Sequence, residues 1–219
     1  MDQALLEVAR RTPGFLPEAE GLALHGWALE AARHGPLLEI GSYCGLSALY
    51  LGSAARAGGV LLFSLDHHRG SEEHQPGQEH HDPELTDADG RVDSLPRFRQ
   101  TLAEAGLEGS VVAVVGSSAA VAEAWRTPLG LVFIDGGHSQ AAADADYAGW
   151  SPHVAPGGLL AIHDVFPNPA DGGRPHFLIY ERALAEGWFE VGATGSLRVL
   201  RRRSPVGRPG RGPRSGSGR

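Results

Sequence analysis

Apolar residues fall along the chain in two kinds of block. Short continuous runs, Leu37-Leu38-Glu39-Ile40, Val60 to Leu65, Val111 to Val115, Leu131 to Ile134 and Leu159 to Ile162, are bounded by glycine, proline or an acid. Runs this short, with no polar residue on alternate positions, read as strands buried on both faces. Between them lie Leu46 to Ala57, about Asp93 to Ala105, and Gln140 to His153, where apolar positions recur at helical spacing. Regular alternation of the two predicts an α/β protein with a parallel sheet. Residues 2 to 11 and 18 to 34 read as helices preceding the sheet; in the second, Leu22, Trp27, Leu29 and Ala32 alternate with Glu20, Glu30 and Arg33. A last helix, 174 to 187, carries Phe177, Tyr180 and Leu184 and stops at Gly187. Trp188 to Val191 and Ser196 to Leu200 then close a hairpin across Gly192 to Gly195. The expectation is a seven-stranded, mostly parallel sheet with a C-terminal antiparallel hairpin and helices on both faces.

Two stretches fall outside this rhythm. Residues 67 to 96 hold five histidines, many acids and no apolar periodicity, so they read as an insertion at the carboxyl end of the second strand. A loop of this length in a compact domain is usually functional or disordered. As a lid it would bring Arg69 and Glu72 or Glu73 to a pocket; as a metal site it would use His67-His68 and His80-His81, though no HxxxH spacing supports that. The other stretch, 201 to 219, has seven arginines, no acid and almost no apolar residue, and is expected to be a disordered tail. Residues 1 to 200 then make one domain, enough to bury a sizeable core.

Charge sharpens the division. The chain totals 19 − 26 = −7, so with seven arginines in the tail the first 200 residues stand at 12 − 26 = −14. A basic tail on an acidic body leaves nucleic-acid binding as a secondary reading, with the tail as its working part. All 19 basic residues are arginine, which excludes Schiff-base lysine chemistry. No apolar run approaches 18 residues, there is no secretory leader pattern, and Cys44 is the one cysteine. These features lead us to expect a cytoplasmic protein without membrane spans or internal disulfides. Cys44 is expected to pack, not to act as a nucleophile.

Chemistry concentrates first at Leu37 to Gly45, where a buried run breaks into Gly41-Ser42-Tyr43-Cys44-Gly45 ahead of a helix. Strand, glycine turn and helix form a nucleotide pocket, because the turn lets a ligand approach backbone amides. A pyrophosphate wants GxGxxG, and Tyr43 stands where the middle glycine belongs, which disfavours a nicotinamide dehydrogenase. The ExGxxxG pattern, with Asp66 ending the next strand, resembles motif I of the class I S-adenosylmethionine (SAM) dependent methyltransferases. That resemblance implies a Rossmann-like fold in which Glu39, Gly41, Ser42, Gly45 and Asp66 hold SAM, with Asp66 on the ribose and Gly116 and Ser117 beside the adenine.

The second concentration runs from Leu129 to Phe166. Two neighbouring strands deliver Asp135 and His163-Asp164 to one rim, with His138 close behind Asp135. The linear order FIDGGHS, W, PGG, IHD is similar to that of small-molecule O-methyltransferases, including metal-dependent catechol-type and sugar-modifying enzymes, over residues 35 to 200. The resemblance implies methyl transfer to a hydroxyl of a sugar-derived or phenolic acceptor, with Asp135 also beside the cofactor, and a homodimer. It further implies a divalent cation, magnesium or manganese, on Asp135, His163 and Asp164, with His138 as base. His163 departs from the catechol-type pattern, which has an acid there, so a metal-free version with His138 or His163 as base stays open. A non-catalytic SAM- or nucleic-acid-binding module is the remaining alternative.

Overall fold

The computed structural model describes residues 1–203 apart from 76, 79 and 80. In chain order the elements are α1 (Gln3–Arg11), α2 (Glu18–Ala31), β1 (Leu37–Ile40), α3 (Leu46–Gly58), β2 (Leu62–Asp66), α4 (Leu95–Glu104), β3 (Val111–Val115) and α5 (Ser118–Ala124). They continue with β4 (Leu129–Ile134), α6 (Gln140–Trp150), β5 (Val154–Ile162), α7 (Pro175–Ala185), β6 (Phe189–Thr194) and β7 (Leu197–Arg201).

The strands form one sheet in the order β3-β2-β1-β4-β5-β7-β6. The first five are parallel, and β7 is antiparallel to both β5 and β6. Strand order reverses between β1 and β4, and the crevice beyond the carboxyl ends at such a point is where open α/β sheets bind ligands. Fold class and closing hairpin are as the apolar pattern led us to expect.

Both faces of the central strands β1, β4 and β5 are covered, which is why they lack alternation. Strand β3, read from its apolar run as buried on both faces, is instead an edge strand with Val112 and Val115 exposed. Leu37, Leu131, Phe133 and Leu159 pack against helices α1 to α4, including Leu24, Ala28, Leu49 and Phe98. Their sequence neighbours Leu38, Val132, Ile134 and Leu160 pack against Ala122, Ala143, Tyr147, Trp150 and Ile179 of α5 to α7. Helix α1 begins where the Asp2 carboxylate accepts from the Leu5 amide at 2.9 Å and ends on Arg10 and Arg11, as the helix dipole favours.

Two boundaries differ from the sequence reading. Strand β7 runs through Arg201, and the Arg202 backbone pairs with Gly157 and Gly158 at 3.1 and 2.9 Å. Arg201 also donates to Glu30 at 2.7 Å. The strand therefore uses the first arginines of the expected tail; residues 204–219 lie outside the described part. The insertion also has more structure than its composition suggested: single helical turns at Glu72–His74 and Pro83–Leu85, and a Thr86–Val92 bridge. Its two feet are tied, since His68 Nδ1 lies 2.9 Å from Ser94 Oγ and the Ser94 amide donates to the His68 carbonyl. Among the described residues no helix is long and apolar enough to cross a membrane.

Candidate active site

The turn after β1 forms one rim of a cavity of about 790 Å3. Gly41 has φ 90°, and a Cβ there would collide with the backbone carbonyl of Asp135, so the glycine lets the ends of β1 and β4 close together. Beyond it the Ser42 and Tyr43 amides donate to Asp66 Oδ2 at 2.8 and 3.0 Å, and the His68 amide donates to Oδ1 at 2.7 Å. Burial alone would raise the Asp66 pKa; nearby His68 and these three amides more than offset it and hold the carboxyl below its usual range. A carboxylate has about four acceptor positions, so Asp66 keeps capacity for a ligand hydroxyl.

Gly41, Ser42 and Asp66 line the cavity, as do Gly116 and Ser117 at the entry to α5. Glu39 and Gly45, also assigned to the cofactor from sequence, are not among the lining residues. Glu39 is fully buried, accepts from Ser64 Oγ at 2.5 Å, and is pushed up to about 8 by burial. Ser64 in turn lies 2.6 Å from Ser42 Oγ, so Glu39 supports the turn from beneath. Gly45, at φ 93°, sets the start of α3. Cys44 is buried and its thiol is pushed up to about 12 by burial, which removes it as a nucleophile.

The opposite rim comes from β4 and β5, whose register sets Ile134 beside Ile162 and so Asp135 beside His163. His163 is 3% exposed. Its Nδ1 lies 2.9 Å from Asp135 Oδ1 and 3.4 Å from Asp164 Oδ1, and its Nε2 lies 3.0 Å from Glu20 Oε2. Burial would lower its pKa, yet the Asp135 hydrogen bond and the charges of Asp135, Asp164 and Glu20 push it up to about 9. Glu20 is buried too and accepts from the Ser196 and Leu197 amides, which ties α2 to the start of β7. Asp164, at φ 54°, turns its Oδ2 to His138 Nε2 at 3.1 Å, and burial of Asp164 is more than offset by His138 and His163, leaving its pKa low. Asp135, His138 and Asp164 line the cavity; His163 sits behind them.

Sequence reasoning missed Glu20 and His176. His176 is 2% exposed on α7 with its ring 5.2 Å from that of His138, and burial pushes it down to about 4. Neither had a local signal, because each meets the rim only through tertiary packing. The roof was missed as well: Phe15, Tyr43 and His74 bring their rings to 5.1–6.1 Å from the α1–α2 loop, the glycine turn and the insertion. Glu72 lines the cavity as a lid residue would. Arg69 does not, being paired with Asp87 at 2.9 Å inside the insertion. His80 of the His80-His81 pair, and the Glu73 side chain, lie outside the described part.

Charge tells what the cavity can hold. Its lining includes Asp66, Glu72, Asp135, Asp146 and Asp164 and, among the described residues, no arginine. A pyrophosphate would face five acidic side chains there with histidine, not arginine, opposite them, whereas a ligand carrying a sulfonium and an ammonium meets opposite charge. The residues therefore fit SAM. They do not fit a divalent cation on Asp135, His163 and Asp164. Their donor atoms lie within 4.8 Å of one another, but three of the four aspartate oxygens already face an imidazole and both nitrogens of His163 face carboxylates.

Comparisons with known proteins agree with this geometry. A family model described as "Methyltransferase domain" matches residues 38–165. Among solved structures, an O-methyltransferase candidate from Klebsiella pneumoniae superposes with a TM-score of 0.64 at 18% identity, over 93% of this chain and 91% of that one. The O-methyltransferase TomG from Streptomyces achromogenes, in complex with SAM, gives 0.62 at 16% identity over 93% and 91%. The O-methyltransferase from Bacillus cereus in complex with SAH gives 0.62 at 16% over 92% and 92%. With the family match spanning the glycine turn, Asp66 and both strand ends of the acidic rim, the chain belongs to the methyltransferase-domain family and is a class I, SAM-dependent methyltransferase.

Proposed function

We propose that the protein methylates a hydroxyl of a small molecule, sugar-derived or phenolic. The observation that carries this reading is the His138–Asp164 pair, 3.1 Å apart on the wall of the acidic cavity. A hydroxyl is mostly protonated near neutrality, so its oxygen becomes a nucleophile only if a base takes the proton as the new bond forms. Asp164, acceptor-only when ionised, accepts from His138 Nε2–H and so orients the ring towards the cavity. His138 is the base that takes the acceptor's proton, and Asp164 stabilises the imidazolium that results. The bound cofactor supplies an electrophilic methyl on a sulfonium. Asp66 holds its ribose end and the Gly116-Ser117 turn borders the adenine, while the insertion and the Pro13–Leu16 loop limit water.

The acidic-rim geometry favours this histidine-base version over the cation-assisted one. The rings of Phe15, Tyr43 and His74 give a planar acceptor a face to lie on, which favours the phenolic class. The test is production of S-adenosylhomocysteine from SAM with a panel of catechols, simple phenols and sugars. One acceptor should be turned over by the wild type and about 100-fold more slowly by His138→Ala. Turnover unchanged in that variant would remove His138 from the mechanism.

A further inference from the structure

The acidic rim contains a buried histidine that does not reach the cavity and whose nitrogens both face carboxylates. Carboxylates are acceptors, so Nδ1–H donates to Asp135 Oδ1, whereas Nε2 lies within ion-pair distance of Glu20 without a hydrogen bond to it; the ring is held by a bond on one side and by charge on the other. Asp135 offers Oδ1, Asp164 offers Oδ1 at 3.4 Å, and Glu20 approaches the far nitrogen at 3.0 Å from α2, a helix more than a hundred residues earlier in the chain. Glu20 is itself fixed by the amides of Ser196 and Leu197 and the Ser196 hydroxyl, which keeps its carboxylate beside the ring. The remaining Asp164 oxygen is taken by His138. Two carboxylates at the ends of adjacent strands thus have their shared positive partner supplied by the protein.

We propose that His163, with Glu20 beside it, is a positioning residue that fills the place of a divalent cation between Asp135 and Asp164, so that the Asp135–His163–Asp164 set binds no divalent ion. His163 acts through the two carboxylates: it fixes their orientation towards the cavity and offsets part of their charge. The price is a buried histidine that must stay paired. An ion would have to displace it from carboxylates on both sides. Replacing the ring by an oxygen donor removes that obstacle and leaves an oxygen-rich set suited to manganese or magnesium.

The inference rests on reading the cavity as the methyl-transfer site, and the experiment separates the two. Chelator-treated full-length protein, with and without SAM, is mixed with substoichiometric Mn2+, and the electron paramagnetic resonance signal of free Mn2+ is recorded. Wild type should leave that signal undiminished. His163→Asp should remove at least tenfold of it, with one Mn2+ bound per chain, and the double variant His163→Asp/Asp135→Asn should restore it. Stoichiometric uptake by the wild type would overturn the proposal, and so would failure of His163→Asp to gain uptake while still binding SAM. If His163→Asp does not fold, as judged by loss of SAM binding, His163→Asn is the second variant under the same two outcomes. SAM calorimetry on the same samples isolates the functional reading: no heat from the wild type removes that reading, whereas Mn2+ uptake removes only this one.

Discussion

The glycine-turn rim and the acidic rim face each other across one cavity and are held together in different ways. At the first, backbone amides of a local turn grip one carboxylate, Asp66, from within a span of 27 residues. At the second, side chains from α2, β4, β5 and α7 grip one another, with Glu20 and His163 separated by most of the chain. The first rim can be rebuilt from sequence because its partners are near neighbours; the second depends on the finished fold. Binding energy and chemistry are expected to separate along the same line: substitutions at the turn should affect cofactor affinity, those at the acidic rim turnover and stability.

Removing the base should have the largest effect. His138→Ala is expected to lower kcat about 100-fold or more while the SAM dissociation constant stays within about twofold, read by steady-state kinetics and calorimetry. An equal loss in SAM affinity would show that the two rims are not separable. Next comes Asp66→Ala, which removes a charged acceptor for cofactor hydroxyls at about 1.5–3 kcal/mol per hydrogen bond and is expected to weaken SAM binding about 100-fold.

His163→Gln addresses stability. Breaking a buried ionic cluster costs about 3–5 kcal/mol, so the variant should melt well below the wild type at pH 7. The pH dependence has a definite sign. The folded His163 pKa is raised from 6.5 to about 9, so its stabilisation is fully present below about 6.5 and is lost as pH rises through 9. The wild-type thermal midpoint should therefore fall between pH 7 and pH 9.5 and the His163→Gln midpoint should vary less, as read by differential scanning fluorimetry. The smallest effect belongs to Glu39. Pushed up to about 8, it carries its proton at neutrality, so the isosteric Glu39→Gln should change SAM affinity by less than about threefold. A large loss would place Glu39 in the binding site after all.

These contrasts explain what the sequence disclosed. The seven strands and the positions of Gly41, Asp66, Asp135 and Asp164 were legible because apolar runs, glycine turns and strand-terminal acids are local signals. Glu39 was placed one layer too high, since the pattern identifies the strand residue but not that Ser64 and Ser42 lie between it and the cavity. His163 was legible as a rim residue, but its set of acidic neighbours was not, because one of them, Glu20, lies on α2 and meets the ring only in the finished fold. Arg201 and Arg202 were assigned to the tail on composition, yet Glu30 and the Gly157-Gly158 turn give them partners.

The central claim is that this acidic crevice, with no arginine among its described lining residues, selects a sulfonium nucleoside over a dinucleotide. Calorimetric titration of the purified chain with SAM, and in parallel with NADH, tests it most directly. One SAM per chain with measurable heat, that heat abolished in Asp66→Ala, and no heat with NADH is the predicted result; NADH binding in the absence of any response to SAM would contradict it.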